Sequence, residues 1–98
     1  MSTSPKPPAL FKPLRGVRIL SLALNLPGPA ALMRLRALGA QCSKVEPPTG
    51  DPMGLYNRNA YETLHEGVKV FSADLRTEAG QRAVHKVLAR ADILLTSF

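Results

Sequence analysis

A single cysteine, Cys42, stands in a chain of 98 residues. That excludes an internal disulfide and any multi-cysteine zinc cluster, and it agrees with a reducing compartment. No apolar run approaches the ~20 residues that cross a bilayer, so no membrane partner or span is expected. The first dozen residues lack the apolar core of a secretory signal; residues 1–12 are read as a disordered basic tail, and a cytoplasmic location is expected. Lys and Arg outnumber Asp and Glu 13 to 7, formally +6, which favours an anionic partner. The basic residues are scattered and never cluster among exposed aromatics, so no nucleic acid is expected to be that partner. Internal repeats and low-complexity segments are also missing.

What is present is an alternation of strand and helix signals. Arg18 to Leu24 is nearly all apolar, bounded by Gly16 and by Pro27-Gly28-Pro29, as expected of a central strand covered on both faces. Pro29 suits the first turn of a helix over Ala30 to Leu38, and Gly39 stops it. A strand from Gln41 to Glu46 follows, so the first half reads β-α-β with a right-handed connection. Residues 47–66 carry Pro47-Pro48, Gly50-Asp51-Pro52, Gly54 and Asn57, the chemistry of a long loop, with at most a short helix over Asn59 to His65. Val68 to Leu75 reads as a third strand. Thr77 caps a helix whose apolar face is Ala79, Ala83, Val84, Val87, Leu88 and Ala91. Ile93 to Leu95 is a fourth strand. A domain of this length buries only about two thirds of its unfolded surface, leaving room for one modest core.

Four collinear segments resemble one family. They are Pro13-Leu14-Arg15-Gly16-Val17-Arg18-Ile19-Leu20 with the later Pro27-Gly28-Pro29; Leu38-Gly39-Ala40 through Lys44-Val45-Glu46-Pro47-Pro48 to Gly50-Asp51-Pro52; Gly67-Val68-Lys69 leading to Ala73-Asp74-Leu75-Arg76-Thr77; and Ala91-Asp92-Ile93-Leu94-Leu95-Thr96-Ser97-Phe98. Each is similar to the matching stretch of the class III CoA transferases, the CaiB/BaiF family. That resemblance implies an α/β fold: a Rossmann-like parallel sheet with flanking helices, the N-terminal part of the large domain of a class III CoA transferase. Residues 13–98 would be its opening portion, incomplete without a C-terminal continuation, inactive alone and prone to self-association through uncovered apolar faces.

The resemblance also implies the chemistry. CoA moves between an acyl-CoA and a carboxylic acid through an Asp-bound intermediate, or an α-proton moves in the racemase branch. Coenzyme A is a substrate, no cofactor is permanently bound, and the full-length partner is a second, interlocked subunit. The family's CoA contacts fall on Leu26, Pro27, Pro47, Val68, Lys69, Ser97 and Phe98. Lys69 is the candidate for a CoA phosphate, or else a solvated strand-end lysine. Ser21, Val68 and Ser97 stand where the family has Asp, Lys and Asn. A non-catalytic CoA-binding or dimerisation module is therefore the alternative. A dinucleotide-binding domain is the weaker rival, because Asn25-Leu26-Pro27-Gly28-Pro29-Ala30 replaces its glycine fingerprint and two prolines remove N–H groups.

The titratable residues give less. Lys44 and Glu46, two apart in a strand, share a face opposite Val45; Glu46 reads either as a ribose acceptor or as a salt-bridge partner. Asp74 reads as a turn acceptor near Arg76 and Thr77. None of Asp51, Asp74 and Asp92 matches the family's nucleophile, so no catalytic residue is assigned, and no metal ligand. Cys42 reads as a small buried hydrophobe, and His65 and His85 as surface histidines.

Overall fold

The computed structural model describes residues 12–97; the expected tail, save Lys12, and Phe98 lie outside them. Lys12 is not free. Its ammonium donates to Ala37 O at 3.2 Å, and Leu14 N–H donates to Leu38 O at 2.9 Å, so the entry segment packs on the end of the first helix.

Strand β1 (Arg18–Ser21) leads to helix α1 (Pro27–Ala37), strand β2 (Gln41–Glu46), two short helices α2 (Met53–Tyr56) and α3 (Arg58–Leu64), strand β3 (Lys69–Ser72), helix α4 (Glu78–Leu88) and strand β4 (Ile93–Leu95). The strands form one sheet in the order β3-β2-β1-β4, and every pairing is parallel. β1 is interior, as its apolar run requires. Gly39 ends α1 in the left-handed region, at φ +109°, where a side chain would be strained. Thr77 Oγ1 accepts Gly80 N–H at 3.0 Å and caps α4.

Two sequence expectations are corrected. Residues 47–66 hold two helices: α3 is the short helix expected over Asn59 to His65, whereas α2 replaces part of the expected loop. The Asn57 side chain accepts Ala60 N–H at 3.1 Å and caps α3, so a residue read as turn chemistry is a helix start. The apolar face of α4 is only partly covered, with Val84 buried, Val87 and Ala91 half-buried, and Ala79, Ala83 and Leu88 exposed.

The sheet separates two small cores. Ile19, Leu32, Ala40 and Cys42 pack on the α1 side, and Leu20, Val45, Ala73 and Val84 on the α4 side. Ile93 and Leu94 on the edge strand β4 remain 44% and 46% exposed. The first turn of α1 approaches the turn after β1 so closely that a Cβ at Gly28 would overlap the Ala23 side chain.

Candidate functional site

The carboxyl ends of the strands carry the turns that a ligand would meet. In this strand order β1 and β4 lie either side of the point where the sheet reverses direction, and open parallel sheets hold ligands beyond the strand ends there. Ser21, fully buried, shapes the exit from β1: its hydroxyl accepts Ala23 N–H at 3.1 Å, and Leu22 N–H donates to Leu95 O at 2.9 Å. The serine thus supplies a turn acceptor at the end of β1. Asn25 follows in the left-handed region, at φ +64°. The ends of β1, β2 and β3 surround a largely apolar cavity of about 460 Å³ lined by Leu22, Leu24, Pro47, Pro48, Leu75 and Arg76 among others.

The expected contact residues fall in two places. Leu26, Pro27, Pro47 and Ser97 lie along the carboxyl edge. Val68 and Lys69 enter β3 at its other end, where Val68 packs against the α1-side core and Lys69 is exposed beside Arg82 and Lys86 of α4 in a second, open cleft. Val68 is half-buried there. Asp74 is the turn acceptor read from the sequence: its Oδ1 accepts Arg76 N–H at 3.0 Å and Arg76 Nε–H at 3.1 Å, and that guanidinium beside it lowers its pKa. Burial raises the pKa of the Cys42 thiol above its ordinary value, opposed only by Arg36, so its nucleophilic form is disfavoured.

Beneath the carboxyl edge lies a cluster that sequence reasoning missed. The Lys44 side chain is wholly buried, and its ammonium meets Asp51 Oδ2 at 2.5 Å, Glu46 Oε2 at 3.2 Å and His65 Nε2 at 2.7 Å. The buried ammonium thus has hydrogen-bond partners in Asp51 and His65 and an ion pair to Glu46, which offsets its desolvation. His65 is 7% exposed, not a surface residue. Its Nδ1 lies 2.6 Å from Tyr61 O, so Nδ1 carries the proton and Nε2 accepts from Lys44. Tyr61 stacks on His65 with centroids 4.0 Å apart and donates its hydroxyl to Glu46 Oε2 at 2.6 Å. Arg58 covers the Tyr61 ring at 4.8 Å.

The electrostatics follow. Burial lowers the pKa of His65, as does Lys44, against the opposing pull of the Tyr61 carbonyl and of Glu46 and Asp51. Burial alone would raise the pKa of Asp51, but the Lys44 ammonium and the N–H groups of Met53 and Asn25 outweigh it and bring it below the usual value. Burial, then the bond to Glu46, raises the pKa of Tyr61 well above its ordinary value. Glu46, Asp51 and His65 have ligand atoms within 4.8 Å of one another, the spacing of a cation site, but the Lys44 ammonium already bonds to all three. The cluster carries its own cation. Half of it was legible in the Lys44, Glu46 spacing; Asp51 and His65 come from separate segments and leave no local signal.

The family described as CoA-transferase family III matches residues 14–98. The chain is 36% identical to succinyl-CoA--D-citramalate CoA-transferase of Chloroflexus aurantiacus over 98% of its own length and 25% of that protein's. It is 31% identical to cinnamoyl-CoA:phenyllactate CoA-transferase of Clostridium sporogenes, over 85% and 23%. Among solved structures, a CaiB/BaiF family protein from Brucella suis superposes with a TM-score of 0.78 at 33% identity, over 89% of this chain and 26% of that one. A hypothetical protein from Mycobacterium tuberculosis gives 0.80 at 33% identity, over 89% and 26%. The chain thus spans about a quarter of the length of these relatives.

Proposed function

The chain belongs to CoA-transferase family III, and from that premise we infer that it supplies the CoA-binding edge of an enzyme that moves CoA between an acyl-CoA and a carboxylic acid. Residues 13–98 are the opening part of its Rossmann-like domain. The covalent step falls to an Asp outside these residues: its carboxylate attacks the thioester carbonyl and expels the CoA thiolate, giving a mixed anhydride. The thiolate then attacks the Asp acyl carbon and releases the first carboxylate, and the acceptor carboxylate takes the same path in reverse. A thioester is broken and a thioester is made, so no external energy source is required. Two such subunits interlock, in the cytoplasm.

What supports this reading is the apolar cavity at the carboxyl ends of β1, β2 and β3, with Pro47 in its lining, because open parallel sheets take their ligands beyond the carboxyl ends of their strands. Leu26 and Pro27 lie at the start of α1, on the same edge of the sheet. The cavity's apolar lining suits the acyl group and the pantetheine arm. Pro27 and Pro29 in the first turn of α1 remove N–H groups from the helix end, so the phosphates must find side-chain cations instead. Lys69, exposed beside Arg82 and Lys86 in the second cleft, is our candidate for one of them.

Calorimetric titration of the 98-residue chain with CoA and acetyl-CoA, at low and moderate salt, tests the reading. Saturable binding is expected, weakened about tenfold by Lys69→Ala, the worth of one charge-assisted contact, and weakened by salt. No binding by the folded chain removes the CoA site from these residues; binding untouched by Lys69→Ala removes Lys69 from it.

A further inference from the structure

Asp51 reaches across 26 residues to grip the turn that follows β1. Asn25 N–H donates to Asp51 Oδ1 at 3.0 Å and to Oδ2 at 3.2 Å. The same carboxylate, with no exposed side-chain surface, accepts Met53 N–H through Oδ1 at 3.0 Å and the Lys44 ammonium through Oδ2 at 2.5 Å. One buried side chain therefore ties the start of α2, the end of β2 and the β1 to α1 turn together.

Ser21 and Leu95 hold the start of that turn through Ala23 N–H and Leu22 N–H, but among the described residues its Asn25 to Pro27 half has few other anchors. Leu26, at the N-terminal cap of α1, makes no side-chain capping bond, and the two prolines after it cannot donate. Asn25 has a left-handed backbone, which costs a non-glycine residue about 1 kcal/mol or more, although asparagine tolerates it best. Its side chain receives only a long contact from Tyr56 Oη–H at 3.4 Å. The Asp51 carboxylate is the strong anchor, because an ionised oxygen accepting a backbone N–H makes a tighter bond than a neutral one.

We propose that Asp51 is a positioning residue that fixes residues 22–27 in the shape that receives the ligand, with Lys44 orienting its carboxylate. The assignment rests on the CoA reading above, because Leu26 and Pro27 are contacts only on that reading. Asp51 touches no reacting atom; it acts through the backbone of Asn25. Asp51→Asn keeps the side chain's size but turns one acceptor into an NH₂ group that must face either the ammonium or the amides, so the grip is lost at one end.

Hydrogen exchange at single amides, paired with CoA titration, separates the outcomes. Asn25 is exposed, yet its amide in the native chain should exchange at least about tenfold slower than an open turn amide. In Asp51→Asn that protection should vanish while Leu20 and Val45 keep theirs, and CoA affinity should fall about tenfold. Native exchange at the open rate overturns the proposal whether or not the variant folds. Loss of protection throughout the sheet makes Asp51 merely structural, and local opening with unchanged affinity removes its role in ligand binding. If the native chain binds no CoA, the functional reading fails, and the Asn25 amide alone decides whether Asp51 holds the turn.

Discussion

His65 Nε2 lies 2.7 Å from the Lys44 ammonium, deep beneath the carboxyl edge of the sheet. The imidazole can hold that place only while Nε2 is unprotonated. The groups that face it are Lys44, Glu46, Asp51 and Tyr61, and burial makes the neutral form the folded one.

Acid should therefore weaken the fold in a defined window. The folded His65 has a depressed pKa, so the unfolded chain takes up this proton first as pH falls below the ordinary histidine value of about 6.5. Its contribution is complete above that pH and is lost toward the folded value, at no more than about 1.4 kcal/mol per pH unit. Urea denaturation between about pH 7.5 and 5 measures it. The slope should flatten in His65→Gln; an equal slope in both chains would place the titration elsewhere. The lowered pKa of Asp51 adds a second loss at lower pH, with the same sign.

Removing Lys44 should be among the costliest single changes in the chain. Lys44→Met keeps most of the stem but leaves the Asp51 and Glu46 carboxylates buried without their cation, a loss of about 3–5 kcal/mol. Adding Asp51→Asn should recover part of it, because one of the two stranded charges is gone. A double-mutant cycle by urea denaturation reads the coupling; strict additivity would show that the ion pair stabilises nothing.

Gly28 and Ala23 form a steric pair. A methyl at residue 28 would occupy the space of the Ala23 side chain, so Gly28→Ala should cost about 1–3 kcal/mol. Ala23→Gly in the same chain should relieve most of that by emptying the contested volume. If the double variant is as unstable as Gly28→Ala alone, the contact between the helix and the turn after β1 is not what excludes the side chain.

Much of the fold was legible where punctuation was strong. β2 emerged with its bounds intact because Gly39 and Pro47 flank it, and α4 began where Thr77 could cap it. In segment 47–66 the helix over Asn59 to His65 was legible but α2 was not, because prolines and glycines signal turns just as well around a helix only 4 residues long. The site was legible only along β2, where alternation puts Lys44 and Glu46 on one face. Asp51 and His65 join them through the return of α2 and α3 across the sheet, a tertiary event with no sequence period. For the same reason a histidine with no partner spacing proved to have four polar neighbours.

The outer edge of β1 must wait for its partner. Arg18 N–H donates to Asp92 across 74 positions in sequence, and Ile19 pairs with Ile93. During synthesis at about 5–20 residues per second, β1 can pair with β2 early but spends a further ~2.5–10 s before β4 exists. Through that interval an apolar strand has an open row of backbone donors and acceptors beside it. Another chain's strand could fill that row first, so the yield of correctly folded protein should depend on crowding at the ribosome as well as on the stability of the finished sheet.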